Sequence, residues 1–178
     1  MRASAYALAA ALCAVPALVA AQNPVSDGYR ATEERQARWI TAAVEMFPAD
    51  KFHYSPTPEQ MSVAAVAVHL VEEGNYMLCS RVSGTPEPQR TRVDTTASKE
   101  TLVAALGASF DFCKTSAAGL TDAQLGDSVP SFGSRKTTRA NMLLITVGDW
   151  ADHYSQLANY LRLNNMVPPS AQPRRGGM

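Results

Sequence analysis

Asp149 and His153 lie four residues apart in the segment Met142 to Leu163, a spacing that puts both side chains on one face of a helix. At 100° per residue, Met142, Thr146, Asp149, His153, Leu157 and Tyr160 fall within about 80° of one another. Two ionisable groups therefore stand in a stripe that should face a core, where a carboxylate or imidazole is costly without a partner. A further histidine, His69, stands in Val66-Ala67-Val68-His69-Leu70 on an earlier helical segment. Two imidazoles and one carboxylate converging inside a bundle form a donor set for a divalent metal. The competing reading is a polar network that only holds helices together.

The neighbours of these three residues sort by angle. Glu73 is one turn beyond His69 and on its side of the helix. It suits a fourth ligand, an acceptor that orients His69, a general base, or a boundary residue in water. Tyr76 and Tyr160 share the faces of the candidate ligands, where they line a pocket or simply pack. Glu73 and Tyr76 are accordingly the candidate catalytic groups, as proton-transfer or pocket residues. Glu72 points about 60° from His69 and should meet solvent, and Asp152 points about 100° from His153 and should face solvent or the bundle edge. His53 precedes a Pro-rich turn, lies on no periodic face, and reads as a surface or loop-packing residue.

Cys79 and Cys113 lack the C-x-x-C spacing of a metal site. A nucleophilic Cys needs a nearby base, and His69 is ten residues from Cys79, about 15 Å along a helix. The sequence has no Gly-rich phosphate loop, H-E-x-x-H, G-x-S-x-G or dinucleotide fingerprint.

Four helical segments must position the candidate residues. The first runs from about Ser26 to Phe47, with Trp39, Ile40, Ala43, Val44 and Phe47 on its apolar side, and Pro48 stops it. The second is expected to start with Thr57 as N-cap, Pro58 at N1 and Gln60 closing a capping box. It continues to about Arg81, before Gly84 and Pro86. Gly84 to Ala97 reads as a long crossover loop. The third helix spans about Ser98 to Ala118, with Leu102, Leu106, Phe110 and Cys113 on one face. Thr121-Asp122-Ala123-Gln124 is another capping box. Gly126 to Thr138 is a second long loop, and the last helix runs from about Arg139 to Leu163. No internal repeat and no strand stands out. The expectation is an all-α four-helix bundle with two long connections.

The chain has 178 residues and a formal net charge of zero. One domain fits that length, and without a basic stripe the footprint of a nucleic-acid binder is missing. Arg2, the Ala-rich apolar run Ala5 to Val15, and Val19-Ala20-Ala21 read as a signal peptide over residues 1–21. The bundle then covers 22–169, and a Pro/Gly/Arg-rich tail at 170–178 should be disordered. Cleavage removes Cys13. Cys79 and Cys113 remain as a natural disulfide pair for a periplasmic or secreted protein.

Several segments carry a family resemblance. Phe52-His53-Tyr54-Ser55-Pro56-Thr57-Pro58-Glu59 is followed by Val68-His69-Leu70 and Asn75-Tyr76-Met77-Leu78-Cys79. Phe110-Asp111-Phe112-Cys113 comes next, then Asp152 to Arg162 and Val167-Pro168-Pro169. Together they resemble the DinB-like superfamily in its secreted branch, from about residue 28 to 169. The resemblance implies a four-helix bundle with an atypical helix order and a metal site of three His, one on the second helix and two, four residues apart, on the last. His69 and His153 match, and Asp149 stands where the family usually has His. The implied cofactor is a divalent metal, zinc or nickel first, then iron or manganese. Relatives of this kind include thiol transferases and metal-dependent hydrolases and isomerases.

These observations lead to one reading and one alternative. The first is a secreted metal-binding protein acting as a metal-dependent hydrolase or transferase on a small molecule. The alternative is a non-catalytic extracytoplasmic binding module whose metal site has lapsed, which Asp149 favours. No nucleic-acid partner and no stable membrane insertion after signal cleavage are expected, and a homodimer is left open.

Overall fold

The computed structural model describes residues 22–173, so the signal-peptide reading of residues 1–21 and the last five residues of the tail lie outside the described part. Four long helices carry the structure. α1 spans Pro24–Met46, with Pro at its first turn, where the missing N–H is no loss. Its next free N–H groups, those of Val25 and Ser26, donate to the carboxylate of Asp122 at 3.0 and 2.8 Å.

α2 is one continuous helix in three stretches: α-helical over Val63–His69, π-helical over Leu70–Leu78, and α-helical again over Cys79–Ser83. Gly84, at φ 81°, ends it in the left-handed conformation, which favours glycine. α3 spans Lys99–Ser116 and α4 Arg139–Leu163. Ser98 and Thr138 cap these two helices by accepting from the N–H groups of Thr101 and Asn141, each at 3.2 Å.

Two expectations need correction. The second helix does not begin at Thr57-Pro58. Thr57 to Gln60 closes only a turn, and Ser62 is the N-cap, accepting from Ala65 N–H at 3.2 Å. The reason lies in the preceding connection. The carbonyls of Tyr54 and Phe52 accept from Val63 and Ala64 at 3.1 and 2.8 Å, so the orphan donors of the first turn are satisfied only from Val63 onward. The second long loop also contains strands. β1 (Ser128–Pro130) pairs antiparallel with β2 (Lys136–Thr138). At three residues each, the strands are too short to show a period of two in the sequence.

The rest of that loop forms as read: Thr121 and Gln124 close their capping box around a 3-10 turn at Asp122–Gln124. In the tail, Pro169–Ala171 makes a further 3-10 turn. It is tied down by Ser170 N–H donating to Tyr154 Oη at 2.8 Å, so part of the segment expected to be disordered is ordered.

α1 packs against α3 and α4, and α2 also packs against α3 and α4. α1 and α2 thus sit across one diagonal and α3 and α4 across the other, while α2 and α3 are neighbours, and the order around the bundle is α1, α3, α2, α4. That order requires the long connections, and it makes α2 and α4 neighbours. Ile40, Phe47, Leu70, Leu102, Leu106, Met142, Trp150, Leu157 and Leu161 are fully buried between the four helices. At roughly 1.5–3 kcal/mol per large side chain, this burial is the main force holding the bundle. A Cys79–Cys113 disulfide joins α2 to α3, with Cα atoms 5.1 Å apart. Among the described residues no helix is long and apolar enough to cross a membrane.

Candidate metal centre

His69 is the last residue of the first α-helical stretch of α2, and the π-helix starts at the next residue. Asp149 and His153 project from α4 one turn apart, as their spacing requires. The three meet between α2 and α4. His69 Nε2 lies 3.1 Å from Asp149 Oδ1, and His153 Nε2 lies 3.5 Å from the same oxygen. The two imidazole rings are 4.4 Å apart, centroid to centroid. One donor atom from each residue falls within 4.8 Å of the others.

Two features of α2 make this approach possible. The first is Gly74. A Cβ there would stand 2.8 Å from Asp149 Oδ2, closer than real contacts allow, so only glycine lets the carboxylate in. The second is Asn75, fully buried. Its side-chain N–H donates to Ser109 Oγ on α3 at 2.8 Å, and its oxygen accepts from Trp150 Nε1 at 2.7 Å. Asn75 thus pins the π-helix to α3 and to the residue adjoining Asp149. A π-helical turn carries its hydrogen bonds from i to i+5 and is frequently placed at functional sites.

The electrostatics follow from burial and pairing. Burial opposes ionisation of Asp149, but the hydrogen bonds and charges of His153 and His69 outweigh it and hold the carboxyl down at about 2. His69 is raised above its ordinary value, first by its hydrogen bond to Asp149 and then, against the cost of burial, by the charges of Asp149 and Glu73. Glu73 lies 3.1 Å from His69 Nδ1 through Oε2, with its side chain 68% exposed. Of the four roles open to it in the sequence, the geometry matches the acceptor that orients His69.

The other candidates go elsewhere. Glu72, expected in solvent, is buried. Arg90 donates to its Oε1 at 2.6 Å, Val93 N–H donates to the same oxygen at 2.9 Å, and Arg92 stands 3.4 Å from Oε2. The π-helix explains the error: each of its residues turns the chain less than an α-helical residue does, so a wheel drawn at 100° misplaces Glu72. Tyr76 is also displaced from the role assigned to it. The Arg90 guanidinium covers its ring at 4.0 Å and Phe112 packs beside it, which makes it part of a clasp on the crossover loop. Tyr160 is buried and donates to the carbonyl of Met61 at 2.9 Å. His53 and Asp152 are exposed, as read.

The three residues fit a metal ion. Donor atoms 3.1 and 3.5 Å apart lie on either side of the roughly 3.3–3.4 Å that separates two ligands held at about 2.0–2.1 Å by one tetrahedral ion. Asp149 Oδ2 is buried with no hydrogen-bond partner, a costly state unless something else satisfies it. Sequence reasoning missed Gly74, Asn75 and Gln156. A glycine inside a helical pattern signals close approach, and Gln156 stands three residues beyond His153, where one turn of helix brings it back to the ring.

A cleft of about 550 Å³ opens beside His153, lined also by Gln60, Met61, Asp152, Gln156 and Asn159.

Comparison with known proteins agrees with the helical fold. The family model described as the DinB superfamily matches residues 31–157. No curated protein matches the sequence. Among solved structures, a DinB-like protein from Bacillus subtilis is 18% identical, with a TM-score of 0.65 over 83% of this chain and 99% of its own. A DinB-like protein from Bacillus cereus is 16% identical, with a TM-score of 0.64 over 80% of this chain and 95% of its own.

Proposed function

Because the chain belongs to the DinB superfamily, we propose that it is an exported metal-binding member in which His69, Asp149 and His153 hold one divalent cation. The observation that carries this reading is the buried, partnerless Oδ2 of Asp149, beside two imidazoles that already face the same carboxylate. Two nitrogens and one carboxylate oxygen suit zinc or nickel first, and iron or manganese next. Export rests on the signal-like residues 1–21 and on the disulfide, which belongs to an oxidising compartment.

The activity that fits is metal-dependent hydrolysis or group transfer on a small molecule. A divalent ion bound here supplies Lewis acidity. Glu73 holds His69 with Nε2 turned inward. The cleft beside His153 has the size of a small-molecule site. Its charged wall residue is Asp152, and no Lys or Arg lines it, which favours an uncharged or cationic polar ligand over an anionic one. The zero net charge supports a small-molecule rather than a nucleic-acid partner.

A second reading has its own observation. Asp149 Oδ1 is within reach of both imidazoles, so the trio closes on itself without an ion, as a lapsed site in a binding module does. Elemental analysis of protein purified without chelator separates the two. The metal reading gives about one transition-metal ion per chain, lost in His153→Ala. Protein that is metal-free and stays so after dialysis against zinc and nickel supports the lapsed site.

A further inference from the structure

The hydrogen bonds behind His153 run in one direction only. We propose that Gln156 and Tyr160 are positioning residues that fix which nitrogen of His153 faces the cluster; the assignment rests on the metal-centre reading above. The Met61 carbonyl can only accept. Tyr160 Oη lies 2.9 Å from it, so the hydroxyl hydrogen is committed there. The same Oη lies 2.8 Å from Gln156 Nε2, and with its hydrogen used it accepts from the amide NH₂. Gln156 is thereby oriented with its carbonyl oxygen toward His153, Oε1 standing 3.2 Å from Nδ1. An amide oxygen can only accept, so Nδ1 carries the hydrogen. In a neutral imidazole that leaves the lone pair on Nε2, the nitrogen 3.5 Å from Asp149 Oδ1. The opposite tautomer would aim a hydrogen at the shared centre and could not ligate.

The relay is anchored outside α4. Met61 immediately precedes Ser62, the N-cap of α2, so the entry into one site helix sets the proton on the other. Tyr160 is 1% exposed, which keeps water from competing for its hydroxyl. His69 reaches the same state by a different route, with the Glu73 carboxylate opposite its Nδ1. Both imidazoles then present Nε2 inward. One is held by an exposed charge and the other by a neutral amide whose orientation is dictated.

The test uses zinc as the probe, with affinity read by competition against a chromophoric chelator and the proton located by ¹⁵N spectra of His-labelled, zinc-loaded protein. Gln156→Ala should weaken zinc roughly 10–100-fold, the usual effect of losing a partner that orients a ligand. Gln156→Glu restores an acceptor opposite Nδ1 and should bind close to wild type, whereas Gln156→Met keeps the volume without the acceptor and should be as weak as Gln156→Ala, which a mere packing role would not produce. Tyr160→Phe frees the amide to turn over and should fall between. In wild type, His153 Nδ1 should carry the hydrogen and Nε2 the zinc. Unchanged affinity in Gln156→Ala, a Glu variant as weak as the Ala variant, or zinc on His153 Nδ1 would each overturn the assignment. The wild-type spectrum decides the matter even if a variant fails to fold. Wild-type protein that takes up no zinc would overturn the metal-centre reading and this assignment with it.

Discussion

A single methyl group at position 74 would collide with Asp149 Oδ2. In an ordinary helix interior, glycine to alanine is stabilising by about 0.5–1 kcal/mol. Gly74→Ala should reverse that sign, because the carboxylate has to move or the π-helix has to rewind. The expected result is a lower midpoint in urea and a loss of zinc binding in the same variant; a stabilised variant with intact binding would remove the steric argument. The ionisable trio gives a second prediction, for metal-free protein. His69 is raised above 6.5, so its contribution is complete below that value and is lost as pH rises through its folded pKa. Asp149 is lowered from 3.8 to about 2, so its contribution is complete above 3.8 and is lost as pH falls toward 2. The two overlap between about pH 4 and 6. Asp149→Asn should therefore cost on the order of 2 kcal/mol near pH 5, and less as pH rises through the His69 titration. Denaturation curves in chelator at several pH values measure this, and a pH-independent difference would contradict it.

The π-helical stretch of α2 is the element on which the site depends, and it was the least legible in the sequence. The four helices could be read because their apolar faces repeat at the α-helical period and Ser98, Gly84 and Pro48 mark ends. Asp149 and His153 could be read because α4 is regular and their spacing is one turn. Leu70–Leu78 offered no such marker: a π-helix keeps the same apolar composition and changes only the angle between residues. Glu72 and Tyr76 were misplaced for that reason, while His69, lying just before the stretch, was not. The start of α2 was misread because the Thr57-Pro58 signal is a local one, and the carbonyls that decide the matter belong to Phe52 and Tyr54. The element has its own prediction. Glu72, with Arg90, Arg92 and Val93, holds the crossover loop down, and Glu72→Ala leaves the half-buried Arg90 without its closest carboxylate. A loss of roughly 2–4 kcal/mol is expected, near the range for breaking a buried pair. Limited proteolysis should cut first between residues 84 and 98. Unchanged stability and unchanged cleavage sites would show that the clasp is only a surface contact.

Across the whole molecule, the helix order α1, α3, α2, α4 sets two distant parts of the chain side by side. His69 and Asp149 are separated by 80 residues, yet they meet because the long connection from α3 to α4 carries the chain across the bundle and sets α4 beside α2. The disulfide ties one of those connections. Its residues are 34 apart in sequence, for which chain-entropy models give about 3–4 kcal/mol, and it lies at the far end of the π-helix from His69. The bundle, the clasp and the disulfide together hold α2 against α4, where the proposed metal site lies. The most direct measurement is an anomalous difference map from crystals grown with zinc or nickel, collected at the metal edge. One peak is expected, bounded by His69 Nε2, His153 Nε2 and the Asp149 carboxylate, and absent from His153→Ala crystals. A map with no peak there at saturating metal, or with the ion held by other residues, would contradict the account.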